Sequence, residues 1–595
     1  MNLTSTIKAI QDIMRKDDGV DGDAQRIGQL TWMLFLKVFD QREEEWEDDN
    51  PKYKSPLPKR LRWRNWAAYV PDANGKKKPQ IAASEVIGFV NNELFPTLQE
   101  LDIEANDKFK PLRKVIRSIF EDANNFMKSG TQLLAVIEKL EESINFHDFK
   151  TRANLGDVYE QVLNDLRSAG NAGEFYTPRA ITQFMVDRVN PRLDKREKLL
   201  DPACGTGGFL TATIDHFRNQ LGTHSSAADR RAIEQLIRGF EKKQLPHLLC
   251  TTNMLLHGID VPSQIEHKNT LSIGWNDWGA HEKVHCVVTN PPFGGYEEDG
   301  VGTSYPADLR TRETADMFVA LIVKKLLKED GRAAVVLPDG FLFGEGIKNA
   351  LKRLLLRDCK LHTVIRLPRG VFAPYTTIKT NLLFFTKGPV IDDGTERFHT
   401  ETIWFYEHPY PPGYKSYSKT KPIRLEEFKP EQEWWGDEAN DFADRAENVW
   451  AWKIDFKAKR EQAEAAAKPH WDRAESLNND AVAVENRIRE LRSSLVGNSD
   501  VPSRENVEAE MVTLREQAER LRLQARDAQA AGDRLYWPIF NLELKNPNAP
   551  EDESHDPDIL LEKYKALLSQ IEETENHLKG ELAASLAHHF MREDG

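Results

Sequence analysis

Between residues 198 and 387, five apolar runs of strand length recur with helical stretches among them, and this alternation restricts the fold more than any other feature. The runs are KLLD (198–201), HCVVTN (285–290), GRAAVVLP (331–338), LHTVIRLP (361–368) and TNLLFFTK (380–387). A helical stretch over Ala315 to Leu327 separates the second from the third. Parallel strands need crossover connections, usually helical, so the pattern predicts βαβ units and an α/β domain with a mostly parallel sheet over 151–410. The last run leads through GPVIDDGTE to TIWFYE, which reads as a hairpin extending the sheet edge.

A chain of 595 residues is too long for one core. About three to five units of ~100–200 residues are expected. Residues 1–150 read as mainly helical, with Ile7, Ile10, Met14 and then Ile27, Leu30, Leu34, Val38 at helical spacing. Inside them lies a loop-rich basic segment, Lys52 to Lys78, with aromatics Tyr53, Trp63, Trp66 and Tyr69 interleaved. Its Arg60, Arg62, Arg64, Lys76, Lys77 and Lys78 are the candidates for phosphate contact, set against the plainer reading of a solvated basic loop. A connecting segment, 411–455, leads to an Ala-, Glu-, Arg- and Leu-rich region, 456–535. There Leu477, Ala481, Val484, Ile488, Leu491 and, past GNSDVPS, Met511, Leu514, Ala518, Leu521, Ala525 alternate steps of four and three, predicting an antiparallel helical hairpin. The tail, 536–595, carries a last helix whose start is marked by Asp556-Pro557-Asp558.

Hydrophobic residues at 40% and charged residues at 30% exclude wholesale disorder. Lys+Arg at 81 against Asp+Glu at 95 gives a net charge of −14, which excludes a protein that coats nucleic acid by bulk attraction. The first residues carry no signal-type apolar run, and no stretch approaches the ~18 apolar residues of a spanning helix. The four cysteines lie far apart without metal-ligand spacing, which predicts buried thiols in a reducing cytoplasm and no metal site.

Two blocks carry chemistry. In KLLDPACGTGGFL (198–210) a strand ends at Asp201 and a turn with Gly205, Gly207 and Gly208 precedes a helix beginning near Phe209. Glycines admit a ligand close to the backbone, and a strand-tip carboxylate can accept from its amine or hydroxyl. An ordinary tight turn explains the block alone, and the G-x-G-x-x-G spacing of dinucleotide sites is absent. The second block is HCVVTNPPFGG, where Asn290-Pro291-Pro292-Phe293 follows a buried strand. Two prolines remove N–H donors and leave carbonyl acceptors available. An amide oxygen beside them suits an exocyclic amino group, and Phe293 offers a flat face for a base.

Together these motifs resemble the amino-group DNA methyltransferases, and more closely the modification subunit of type I restriction–modification systems. GEFYTPR (173–179), TTNMLLHGI (251–259), ADMFV (315–319), GRAAVVLPDGFLF (331–343) and LPRGVFAPYTTIKTNLLFFTKG (367–388) match further stretches of that family. The resemblance implies a Rossmann-like sheet with flanking helices and S-adenosylmethionine as cofactor. It places the methionine moiety at Asp201 and the turn Gly205, Thr206, Gly207, Gly208 and Phe209, beneath Glu174, Phe175, Tyr176 and Thr177. It assigns the ribose to Glu241 and the adenine to Asn269, a position where many relatives carry aspartate. It implies N6-adenine methylation at Asn290, Pro291, Pro292 and Phe293, on a base flipped out of double-stranded DNA; N4-cytosine is chemically compatible. The implied partners are a DNA-specificity subunit, a second copy of the chain and a restriction subunit. Two other readings are a stand-alone methyltransferase on another amide or amine, and a non-catalytic assembly subunit; intact Asn290 and Phe293 speak against the second.

Overall fold

Nine strands among the described residues make one mixed sheet. They are β1 (Leu199–Asp201), β2 (Ile237–Glu241), β3 (Ile265–His267), β4 (Val284–Thr289), β5 (Leu327–Pro338), β6 (Cys359–Arg366), β7 (Thr380–Lys387), β8 (Thr402–Glu407) and β9 (Ala451–Asp455). Their order is β9-β8-β6-β7-β5-β4-β1-β2-β3. The computed structural model describes residues 3–73, 75–104, 109–121, 123–143, 176–222, 226–373, 375–390, 397–418, 420–495, 501–549 and 557–590. Met1–Lys545 form one unit and Asn546–Gly595 a second.

All five predicted strands are present, and β3, β2, β1, β4 and β5 run parallel. The predicted hairpin at the edge is not. Strand β7 is antiparallel to β5 on one side and to β6 on the other. With both edges of β7 occupied, TIWFYE crosses over to pair in parallel with β6, Trp404 opposite Thr363. The reason lies in burial: β7 is buried along nearly its whole length on both faces, so it belongs inside the sheet rather than at a rim. Strands β2, β3 and β9 escape the apolar-run criterion because they are short and carry charges such as Arg238, Glu266 and Lys453. The helix before β5 also ends early. Thr314–Leu321 is α-helical, and one wider turn, Ile322–Leu326, feeds straight into the strand.

The N-terminal region is helical, with α1 (Leu3–Met14) and α2 (Asp23–Asp49) the first of its helices. Its core gathers Trp32, Phe35, Phe39, Phe120 and, from the basic segment, Trp63 and Trp66. These two indoles are buried, so the interleaved aromatics anchor the segment instead of offering stacking surfaces. Around them the chain makes two short 3-10 turns and a two-stranded ribbon, Val70–Pro71 against Lys77–Lys78.

Six helices of the remaining chain matter below: α3 (Arg179–Val189), α4 (Gly208–Leu221), α5 (Gln244–Leu256), α6 (Thr314–Leu321), α7 (Phe456–Ser494) and α8 (Val501–Tyr536). The N-terminal core continues into Leu248, Leu249 and Leu255 of α5, and Gln244 Nε2 donates to the Ser118 and Ile119 carbonyls at 3.0 and 2.7 Å. Helices α7 and α8 form the predicted hairpin. Its most buried line is alanine at every seventh place, Ala467, Ala474, Ala481 on one helix and Ala518, Ala525 on the other, which lets the backbones approach closely. In the second unit, α9 (Pro557–Phe590) begins at the predicted proline. Its Tyr564, Leu567, Ile571 and Leu578 form an apolar ridge, each at least half exposed. No described helix is long and apolar enough to cross a membrane.

Candidate active site

The glycine loop sits where β1 meets α4, and neighbouring elements hold it by its backbone. Cys204 N donates to Phe240 O at 2.9 Å, Thr270 Oγ1 to Pro202 O at 2.6 Å, and Asn253 Nδ2 to Thr206 O at 3.2 Å. Glu241, at the tip of β2, accepts from Gly205 N at 2.9 Å and from Lys243 N at 2.7 Å. Gly205 and Gly207 have φ of +53° and +86°, the left-handed region that glycine adopts without steric cost. A Cβ on Gly207 would lie 2.8 Å from Cys250 Sγ, whereas one on Gly205 would enter open space. The loop thus packs tightly on α5 on one side and leaves a free surface beside Glu241 on the other. Asp201 is buried beneath it, and that burial, reinforced by the charge of Glu241, pushes its carboxyl up to about 7 against the hydrogen bond from Ala203 N. The hydrogen bond between the sulfurs of Cys204 and Cys250, 3.9 Å apart, raises the thiol of Cys204, and burial raises it further. All four cysteines are buried and unbridged.

Strand β4 runs parallel to β1, with Val287 opposite Leu200, so Asn290 leaves the sheet on the same edge as Asp201. Open α/β sheets bind ligands at the carboxyl ends of their strands. Asn290 is 9% exposed; its Nδ2 donates to Thr177 Oγ1 at 3.0 Å, while its Oδ1 is buried and accepts no hydrogen bond from the described residues. A buried acceptor without a donor is costly and uncommon, and marks a place for a ligand N–H or O–H. Phe293, three residues on, packs edge-on against Phe372 with ring centroids 6.0 Å apart at 79°. The next turn is tied to α6, where Thr314 donates to Gly295 O through its N–H at 3.0 Å and its hydroxyl at 2.9 Å.

The other predicted residues fall into place unevenly. Glu174 and Phe175 lie outside the described residues. Tyr176 packs against the N-terminal core and Phe209 is a core residue of α4, while Thr177 reaches the catalytic turn. Asn269 caps a 3-10 turn, its Oδ1 accepting from Leu271 N at 3.0 Å, and its Nδ2 donates to Glu297 Oε2 at 3.0 Å. Among the basic candidates, Arg62 and Arg64 turn inward. Arg62 pairs with Glu47 at 2.9 Å, and Arg64 with Asp40 at 3.0 Å and Glu47 at 2.8 Å, all on α2. Acidic residues on that helix draw them down, leaving Arg60, Lys76, Lys77 and Lys78 as the exposed cations of the set. Sequence reasoning missed Asn253, Glu297 and Phe372. Asn253 and Phe372 reach the site from distant segments and lay within quoted motifs without being singled out, whereas Glu297 follows the Asn-Pro-Pro-Phe turn in a stretch that no motif covered.

A glycine loop and an Asn-Pro-Pro-Phe turn on adjacent strand tips, with a buried amide oxygen that accepts no hydrogen bond from the described residues, define an amino-group methyltransferase. The N-6 DNA Methylase family model matches residues 150–473, and the HsdM N-terminal domain model residues 3–140. The type I restriction enzyme EcoEI methylase subunit of Escherichia coli is 47% identical over 587 residues, covering 99% of both chains. A modification subunit of a putative type I restriction enzyme from Vibrio vulnificus superposes with a TM-score of 0.61 at 36% identity, covering 76% of this chain and 91% of that one. A chain from a structure of type I restriction–modification complex assembly gives 0.65 at 30% identity, covering 98% and 99%. The chain belongs to the N6-adenine DNA methylase subunits of type I restriction–modification enzymes.

Proposed function

We propose that the chain methylates the N6 amino group of adenine in double-stranded DNA from S-adenosylmethionine, at a sequence chosen by a separate specificity subunit. The observation that carries this reading is Asn290 Oδ1, a buried acceptor that lacks a donor beside the Phe293 ring. An exocyclic amino group supplies the donor that this oxygen takes. Thr177 orients the amide so that its oxygen faces the base, the Pro291 carbonyl accepts the second amino hydrogen, and Phe293 supports the ring. With both hydrogens engaged, the nitrogen lone pair is aimed by the protein, and such positioning contributes about 7–11 kcal/mol in well-oriented reactions. The base has to leave the duplex stack to reach this turn.

The donor set fits the cofactor. The open side of Gly205 admits a ligand against backbone, with Asp201, Thr206 and Gly208 on the loop and Glu241 and Asn269 at the neighbouring strand tips. When bound, S-adenosylmethionine supplies a methyl group already activated on a sulfonium, so little acid–base machinery is needed. The partners are the specificity subunit, a second copy of the chain and a restriction subunit, with the apolar ridge of α9 as the docking element for the specificity subunit's helices. Buried thiols suit a cytoplasmic location.

The test is incorporation of labelled methyl groups into plasmid DNA, with and without a co-expressed specificity subunit. Asn290→Ala is expected to abolish incorporation while S-adenosylmethionine affinity stays within about threefold. Undiminished turnover in that variant overturns the role of Asn290, and full site-specific methylation without the specificity subunit overturns the division of labour.

A further inference from the structure

Four residues beyond Phe293, Glu297 is 7% exposed. Its Oε2 accepts from Asn269 Nδ2 at 3.0 Å and from Lys242 Nζ at 3.1 Å. Both donors stand at the tips of other strands. Lys242 follows Glu241, whose carboxylate holds Gly205 N, and Asn269 opens the turn whose Thr270 hydroxyl holds Pro202 O. The backbone of Glu297 is fixed as well, its N–H donating to Arg312 O at 3.0 Å. One buried carboxylate therefore connects the segment containing Asn290 and Phe293 to the two strand tips that frame the glycine loop.

We infer that Glu297 is a positioning residue that couples occupancy of the cofactor pocket to the order of the catalytic turn. The inference rests on the reading of the glycine loop, Glu241 and Asn269 as the S-adenosylmethionine pocket. Anything that immobilises Asn269 and the Glu241–Lys242 strand tip immobilises Glu297, and through it the backbone from Asn290 to Gly295. The turn is then ordered for the target base once the cofactor side is filled. Such a linkage is reciprocal and, at typical coupling strengths, changes affinity by about 5–150-fold. It also accounts for an amide at position 269. Asn269 donates to the carboxylate of Glu297, whereas an aspartate there would set two carboxylates about 3 Å apart, and like charges that close do not both ionise readily.

The experiment is amide hydrogen exchange over residues 290–298 in the full chain, with and without saturating sinefungin, a non-transferring analogue of S-adenosylmethionine. Sinefungin is expected to slow exchange there about tenfold in the natural chain, and Glu297→Ala is expected to bind it yet show less than a twofold effect. Asn269→Asp is expected to lose the protection, and Asn269→Asp combined with Glu297→Gln to regain it, because donor and acceptor have exchanged places. Equal protection in Glu297→Ala overturns the coupling. Should that variant not fold, a double variant that fails to recover what Asn269→Asp lost overturns it equally. Absence of sinefungin binding to the natural chain is a different failure, one of the pocket reading itself.

Discussion

At the scale of single residues, the site depends on side chains whose ordinary preferences are overridden. Burial pushes the Asp201 carboxyl up to about 7 in the folded chain, against a usual value of 3.8. Between those values the folded state binds more protons than the unfolded one, so the protonated group favours the fold at low pH and that advantage is lost as the pH rises towards 7. The difference amounts to about 4 kcal/mol. Asp201→Asn is expected to flatten the fall in urea midpoint that the cofactor-free protein shows over this window; an unchanged slope would place the cause elsewhere. Gly207 combines a left-handed backbone with a 2.8 Å approach to Cys250, so Gly207→Val should cost about 2–4 kcal/mol locally and abolish cofactor binding by calorimetry. Arg64 and Lys77 show how differently two cations of one segment behave. Removing Arg64 strands the buried Asp40 carboxylate and should lower stability by about 3 kcal/mol. Replacing Lys76 and Lys77 with alanine should leave stability intact and, if they touch phosphates, reduce the salt slope of DNA binding by about 0.9 for each.

At the scale of elements, adjacent strand tips do what no single loop can. The parallel pairing of β1 with β4 brings Asp201 and Asn290 to one edge, although 89 residues (201 to 290) separate them. Helix α5 links this edge to the N-terminal core, since it packs on that core along one side and reaches the glycine loop through Cys250 and Asn253 on another. The hairpin of α7 and α8 relies on a different principle. Its alanine seam has no room for larger side chains, and Ala518→Leu is expected to destabilise the helix pair by about 1–3 kcal/mol, read as a lower thermal midpoint of helical circular dichroism. An unchanged midpoint would mean that the seam is looser than its burial implies.

For the whole molecule, the acidic balance gains meaning from where the charge sits. A chain of net charge −14 does not hold DNA by general attraction, and part of its basic segment is neutralised internally by α2. On the proposed reading, DNA affinity rests on a few exposed cations and on the partner that reads the sequence. Helix α9, in a unit of its own, displays an apolar ridge that no hydrophobic core among the described residues of that unit receives. Deleting residues 556–595 is expected to abolish co-purification with the specificity subunit while the remaining chain still binds S-adenosylmethionine; an intact complex after deletion removes α9 from the interface.

The division between sequence and tertiary structure follows the range of the interactions involved. The strands written as apolar runs, the glycine turn, the Asn-Pro-Pro-Phe turn, the heptad hairpin and the start of α9 were legible because each is written in periodicity or turn chemistry over a few consecutive residues; the short, charged β2, β3 and β9 were not. The reaction class was legible through the family resemblance that two short motifs carry. Tertiary structure alone decided the insertion of β7 between β5 and β6, the inward turn of Arg62 and Arg64, and the burial of Trp63 and Trp66. It alone left Asn290 Oδ1 without a donor and brought Glu297 to Asn269. Each of these depends on which distant surface covers a residue and therefore on desolvation, which no local pattern encodes.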